Sequence, residues 1–227
     1  MSESKMIDGY PFIAYQTEGY GEKEMRNRSN SFYEQMNKRR SIRYFSDKPV
    51  AQEIIGNIIR TASTAPSGAH KQPWIFCVVR DPKIKTKIRG AAEKEEYESY
   101  TERMSLDWLE DLKPLQTDWK KPFLETAPYL IVVFKRAYEI QPDGSTRNNY
   151  YVQESVGLAC GLLLAAIHNA GLGALTHTPS PMNFLSKILK RPENERPFLL
   201  IPVGYVAVEC YVPKLERKKL EDVMVIY

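Results

Sequence analysis

Apolar residues along this chain follow two spacings. Ile54, Ile55, Ile58, Ile59 and Ala62 recur at i, i+3, i+4 intervals, which predicts a helix over residues 52–64. Residues 74–79 and 129–134 are unbroken apolar runs rich in β-formers, the pattern of strands buried on both faces. Asp81-Pro82 supplies a cap and a first-turn proline for a helix running past Ile84 and Ile88 toward Glu96. Residues 151–170 are apolar nearly all round, from Val156 to Ile167. A helix without a polar face must be covered on every side, and in a chain this long that implies a second copy against it.

Shorter elements fill the gaps. Residues 174–177 and 198–203 read as strands, and 182–190 as a short amphipathic helix. Asn30 or Ser31 can cap a helix reaching Arg39, with Phe32, Tyr33 and Met36 on one face. Residues 1–28 are polar and broken by Pro11, so they are expected to form an arm lying on a surface, ahead of one catalytic domain over 29–227. Pro142-Asp143-Gly144 is a turn. Residues 223–227 are apolar and β-favouring after a polar stretch, so they are expected to add to a sheet edge, in this chain or a partner. The alternation of helices and strands predicts a mixed α/β layer fold.

Composition narrows the function classes. At 227 residues and 43% hydrophobic the chain can build one substantial core. The net charge of +4 comes from 32 basic and 28 acidic residues that are interleaved, which argues against a nucleic-acid partner. No apolar run reaches the ~18 residues of a membrane span, and the first residues do not resemble a signal peptide. Cys77, Cys160 and Cys210 are far apart and sit among apolar neighbours, as reduced thiols of a cytoplasmic protein do. His70, His168 and His177 are too dispersed for a metal centre.

Two stretches then suggest chemistry. Arg39-Arg40-Ser41-Ile42-Arg43 sets three guanidinium groups and a hydroxyl within five residues, a fork-shaped donor set suited to phosphate. Thr64-Ala65-Pro66-Ser67-Gly68-Ala69-His70 is a loop of mostly small residues that would let backbone amides approach a flat ring. Basic residues at a helix end are more often complements of the helix dipole, and a Pro-Ser-Gly loop is more often a plain turn.

Together these motifs resemble the flavin pocket of the nitroreductase family. That resemblance implies an α+β fold with a central mixed sheet flanked by helices, assembled as an intertwined homodimer with FMN at the interface. It places Arg39, Arg40, Ser41 and Arg43 on the phosphate, ribityl and pyrimidine oxygens, and Arg217 of the basic run 213–219 on the phosphate side. Pro66 and Ser67 would lie along the ring from the other chain. Thr176-His177-Thr178-Pro179 carries the resemblance further: the Thr178 hydroxyl would donate to flavin N5 and favour one-electron steps, with Thr176 beside it and His177 pointing away, giving at most a backbone contact.

The polar, Trp-containing stretch 93–121 separates branches of that family. Glu96 and Tyr100 share a helix face, and Lys121 follows after Trp108, Asp111-Leu112-Lys113 and Thr117-Asp118-Trp119. With Tyr150-Tyr151, Glu154-Ser155 and Pro202-Val203-Gly204-Tyr205, this text resembles the iodotyrosine deiodinase branch over residues 30–227. The resemblance implies a lid whose Glu96 accepts from a substrate ammonium while Tyr100 and Lys121 donate to its carboxylate. It also implies that the Ala69 amide holds the substrate phenolate, and that the reaction is reductive loss of iodide from a halotyrosine. Membrane attachment is not carried over. Residue 97 is Tyr and Pro114 interrupts the lid, where the pattern differs.

The sequence contains no GxGxxG nicotinamide motif and no iron–sulfur spacing, so no electron donor is assigned. The alternative readings are an NAD(P)H-dependent nitroreductase or quinone reductase with an open site, and a non-catalytic flavin-binding protein. An ordinary solvated helix with i,i+4 pairs would also account for the lid's charges.

Overall fold

The computed structural model describes residues 4–227. They form two compact units that divide between Lys38 and Arg39. In the first, β1 (Ser4–Ile7) pairs antiparallel with β2 (Tyr10–Ile13), and α1 spans Glu22–Asn37. The helix begins two turns before Asn30 because Glu22–Arg26 and Glu24–Arg28 are i,i+4 ion pairs that support a start in which Met25 is the one apolar residue before Phe32. Of the arm expected over 1–28, residues 1–3 lie outside the described residues; from Ser4 on it holds a hairpin and then the first turns of this helix, and α1 buries no residue.

The second unit is built on a sheet. Its elements are α2 (Gln52–Ala62), β3 (Trp74–Val79), α3 (Pro82–Glu98), α4 (Leu106–Leu112), α5 (Phe123–Thr126), β4 (Tyr129–Arg136), β5 (Tyr138–Ile140), β6 (Thr146–Asn148), α6 (Val152–Asn169), β7 (Gly173–Ala174), α7 (Asn183–Ile188) and β8 (Glu195–Gly204). The sheet order is β3-β4-β8-β7, all antiparallel, and Ser41 adds a parallel bridge to Ala174. Only Gly173 and Ala174 of the strand expected over 174–177 form a ladder; beyond them His177 makes an isolated bridge to Leu200. β5 and β6 make a hairpin around the Pro142-Asp143-Gly144 turn. Residues 223–227 lie in no strand of this chain and are exposed.

β4 shows why its run is apolar without interruption. Side chains alternate across a strand: Tyr129, Ile131 and Val133 join α2 and α6 in one core, while Leu130, Val132 and Phe134 join α3, α5 and α7 in the other. The second core carries the candidate site. α3 starts where expected, with Pro82 in its first turn and the Asp81 carboxylate accepting from Ile84 N at 3.0 Å. α6 buries Val156, Ala159, Cys160, Leu163 and Ile167, but Leu158 (53% exposed) and Leu162 (36%) leave an apolar stripe open in the single chain.

Candidate active site

The arginine cluster is folded against the C-terminal segment. Ile42 N donates to Ala174 O at 3.0 Å and the Ile42 side chain enters the core, which fixes the backbone of the cluster to the sheet. Arg40 donates to Pro213 O, and Arg217 to Arg39 O at 3.0 Å. Arg39, Arg40, Ser41, Arg43 and Arg217 thus line one cavity of about 250 Å³. Burial, then the neighbouring Arg217 and Arg40 charges, lower the Arg39 pKa. Like charges gathered in a half-buried cavity favour an anion there. The donor set fits the phosphate of a mononucleotide.

Arg43 also borders a second cavity of about 500 Å³, lined by Glu96, Tyr100, Trp108, Lys121 and residues 175–178 among others. Here the lid supplies the walls. α3 carries Glu96 to the cavity and passes into a π-helical turn, Ser99–Arg103, that brings Tyr100 beside it. α4 follows, capped by Ser105 Oγ accepting from Trp108 N. Pro114 does not break the lid open; it sits in a 3-10 turn, Lys113–Leu115, where its missing N–H costs nothing. Tyr97 meets the Trp119 ring edge-on at 5.5 Å, which ties α3 to the returning segment.

The three lid residues converge. Lys121 Nζ lies 3.1 Å from Glu96 Oε2, with both residues buried (3% and 9% exposed), and 5.4 Å from the centre of the Tyr100 ring. Lys121 Nζ also donates to Asp118 O, and Tyr100 Oη to Thr117 O at 3.2 Å. Burial raises the Tyr100 pKa, so its hydroxyl stays a donor near neutrality. The cavity therefore holds a carboxylate, an ammonium and a phenol within reach of one another, the groups a zwitterion needs.

Thr176 and Thr178 are exposed toward the same cavity, while His177 between them is buried. His177 N donates to Leu200 O and His177 O accepts from Leu200 N. Its ring stands edge-on to Phe123 at 5.7 Å, and Nε2 is a buried atom with no protein partner. Burial first, then the Lys121 and Arg43 charges, push its pKa down to about 3. The unfolded chain protonates this residue at the ordinary 6.5, so between pH 6.5 and 3 it binds more protons than the folded one. Stability should fall as the pH drops through that window and be flat above it with respect to this group. A His177→Leu variant should lose less stability than its parent between pH 7.5 and 5, by about 2 kcal/mol. Urea midpoints at the two pH values test this; equal losses would mean His177 is not held neutral.

Pro66, Ser67 and Ala69 are absent from the lining of both cavities. Their loop is tied elsewhere: Gly68 N donates to Ser155 Oγ at 3.3 Å and Ser67 Oγ accepts from Gln72 N. Gly68 has to be glycine, because a Cβ would stand 2.8 Å from Tyr150 O. Ala69 and His70 both have positive φ, 48° and 53°. The sequence reading missed the brace behind the lid. Glu93 Oε1 accepts from Lys121 N at 2.7 Å and from Arg89 Nε at 2.8 Å, and Lys85 Nζ donates to the carbonyls of Glu125 and Ala127. The i,i+4 spacing of Arg89 and Glu93 is visible in the sequence, but the bond to residue 121 is not.

A model of the nitroreductase family matches residues 36–205. The chain belongs to the nitroreductase family. Within it, the chain is 65% identical over 216 residues to an iodotyrosine deiodinase of Haliscomenobacter hydrossis, spanning 95% of this chain and 97% of that protein. It is 49% identical to iodotyrosine deiodinase 1 of Homo sapiens, over 94% of this chain and 74% of that one. Its fold matches a crystal structure of oxidized iodotyrosine deiodinase bound to FMN and 3-iodo-L-tyrosine, with a TM-score of 0.73 and 33% identity over 86% of this chain and 98% of that chain. This nitroreductase-family chain has no helix among its described residues long and apolar enough to cross a membrane. Nor do those residues include a His, Cys, Asp and Glu cluster able to hold a metal.

Proposed function

We propose that this chain is an FMN-dependent reductase that removes iodide from iodotyrosine. The observation that carries the reading is the buried Glu96–Lys121 pair beside Tyr100, in a cavity that shares Arg43 with the arginine-lined one. An open-site nitroreductase has no use for such a pair. Charged groups this buried are retained at a cost, and a zwitterionic ligand gives them a role. The 65% identity to a deiodinase supports the same conclusion.

Arg39, Arg40, Ser41, Arg43 and Arg217 would hold FMN, the phosphate on the guanidinium side. When bound, FMN supplies the electron pair that, with a proton, replaces carbon–iodine by carbon–hydrogen and releases iodide. The chain does the rest. Glu96 accepts from the substrate ammonium, Lys121 and Tyr100 donate to its carboxylate, and the phenol end is left over the cavity floor at Thr176 and Thr178. The Thr178 hydroxyl would donate toward the flavin and so bias it to one-electron steps. Once the substrate engages the lid, α4 excludes water from the reacting carbon.

The site is completed by a second copy. Pro66, Ser67 and Ala69 line neither cavity of their own chain, and the exposed Leu158–Leu162 stripe of α6 supports a homodimer. From the partner, the Ala69 amide would hold the phenolate. Cys77, Cys160 and Cys210 are all free thiols, in keeping with a cytoplasmic setting.

The deciding experiment uses the FMN-loaded protein with dithionite as sole reductant. We expect iodide and tyrosine in equal amounts from iodotyrosine, and little iodide from 2-iodophenol, which lacks the amino-acid end. A protein that binds FMN and is reduced, yet releases no iodide from iodotyrosine, would overturn the reading.

A further inference from the structure

We propose that Glu93, braced by Arg89, is a positioning residue that holds Lys121 in place for the amino-acid end of the substrate. The inference rests on the halotyrosine reading above. Glu93 and Glu96 lie three apart on α3, on one face of the helix. Both grip the same residue. Glu96 takes the side-chain ammonium of Lys121, and Glu93 takes its backbone N–H at 2.7 Å. Arg89 fixes Glu93 from the other side at 2.8 Å and reaches on to the Glu125 carboxylate at 2.9 Å, so it joins α3 to the start of α5.

The two grips have different fates when substrate arrives. A substrate ammonium competes for Glu96 and frees the Lys121 ammonium to meet the carboxylate. The Glu96 hold on the Lys121 side chain is then lost, and the Glu93 hold on its backbone remains. A carboxylate accepting from a backbone N–H is a charge-assisted bond, stronger than a neutral one, and its exposure here is low (18%). It fixes the point from which the Lys121 side chain projects at the moment its own partner changes. Without it the Tyr97–Trp119 and Tyr100–Thr117 contacts further back and the Leu124 N to Lys121 O bond remain, and none of them holds the Lys121 N–H. A shift of Nζ by an ångström is enough to spoil a charge-assisted contact. Glu93 does not line the cavity, so it acts through Lys121 and not on the substrate.

The test compares FMN-loaded parent, Glu93→Ala, Glu93→Gln, Arg89→Gln, Lys121→Ala and the Glu93→Ala/Lys121→Ala double variant. Iodotyrosine and FMN affinities are read by flavin fluorescence, and kcat and KM with dithionite. Glu93→Ala should weaken iodotyrosine about tenfold, with FMN affinity within about threefold of the parent and the change in KM exceeding that in kcat. Glu93→Gln keeps an acceptor oxygen for the Lys121 N–H and should recover most of the loss. The double variant should bind no worse than Lys121→Ala, because Glu93 has nothing left to position. If Glu93→Ala fails to fold, Arg89→Gln must show the same preferential loss. Parent-like iodotyrosine affinity in Glu93→Ala beside a weakened Lys121→Ala, or losses that multiply in the double variant, would overturn the proposal and leave the deiodinase reading standing. No iodotyrosine response in the parent would overturn both.

Discussion

Lys121→Ala and Glu96→Gln are each expected to weaken iodotyrosine binding ten- to a hundredfold while FMN stays bound, a loss of about 1.5–3 kcal/mol. Each change removes one charge-assisted partner of the zwitterion and leaves the arginine cluster intact, since neither residue borders the smaller cavity. The single variants carry a second cost. Lys121 and Glu96 are nearly sealed from water, so removing one leaves the other as an unpaired buried charge, about 3–5 kcal/mol of stability. A variant with both changes loses the charges together. It should therefore regain part of the stability but none of the affinity. Flavin-fluorescence titration with iodotyrosine and 2-iodophenol, alongside thermal melts, separates the two effects. Equal affinity for the two ligands in the parent would place the recognition of the amino-acid end elsewhere.

Much of this frame could be read from the sequence because single residues or short windows determine it. β3 and β4 were legible as strands because they are short apolar runs rich in β-branched and aromatic residues, and the run Leu130-Ile131-Val132-Val133-Phe134 is buried on both faces of the sheet. α3 starts at Pro82 because Asp81 can cap only there. Where the structure departs, non-local contacts or charge decided. α1 starts at Glu22 through ion pairs that a hydrophobic pattern does not register. The strand expected over 174–177 stops at Ala174 because β8 pairs with it only at Gly204 and Val203; the next contact, at His177, is a lone bridge. The lid's Pro114 read as an interruption, yet it opens a 3-10 turn that continues the wall.

The site was legible to a similar depth. Residue types and spacing gave Glu96 and Tyr100 on one face, and the structure adds that Lys121 meets Glu96 across the lid. Spacing could not show that Glu93 holds the backbone of Lys121, because that bond joins residues on either side of α4. The arginines were legible as a phosphate set, but their closure by the 213–217 segment is a tertiary contact between distant parts of the chain.

Gly204→Ala is expected to destabilise the fold by overpacking. At Gly204 the end of β8 passes beside Pro128, and an added Cβ would stand 2.4 Å from Pro128 Cδ and 2.9 Å from its Cγ. No real Cβ tolerates such contacts, and a proline ring cannot swing aside as a flexible side chain would. Pro128 immediately precedes Tyr129, which pairs with Val203 in the central ladder. The strain must therefore open the β4–β8 ladder or push Pro128 outward. Overpacking of a rigid core contact costs about 3 kcal/mol, or roughly 6–12 °C in Tm for a domain of this size. If Pro128 moves instead, the displacement reaches Ala127 and Glu125, whose carbonyls Lys85 holds, and through α5 the Lys121 end of the clamp. Iodotyrosine affinity should then fall along with Tm. Gly90→Ala is the control: it lies inside α3 with nothing within 4 Å of the new methyl, and should raise stability by about 0.5–1 kcal/mol. A Gly204→Ala variant that melts with the parent would mean that β8 and the segment leaving the lid are not in contact at Pro128.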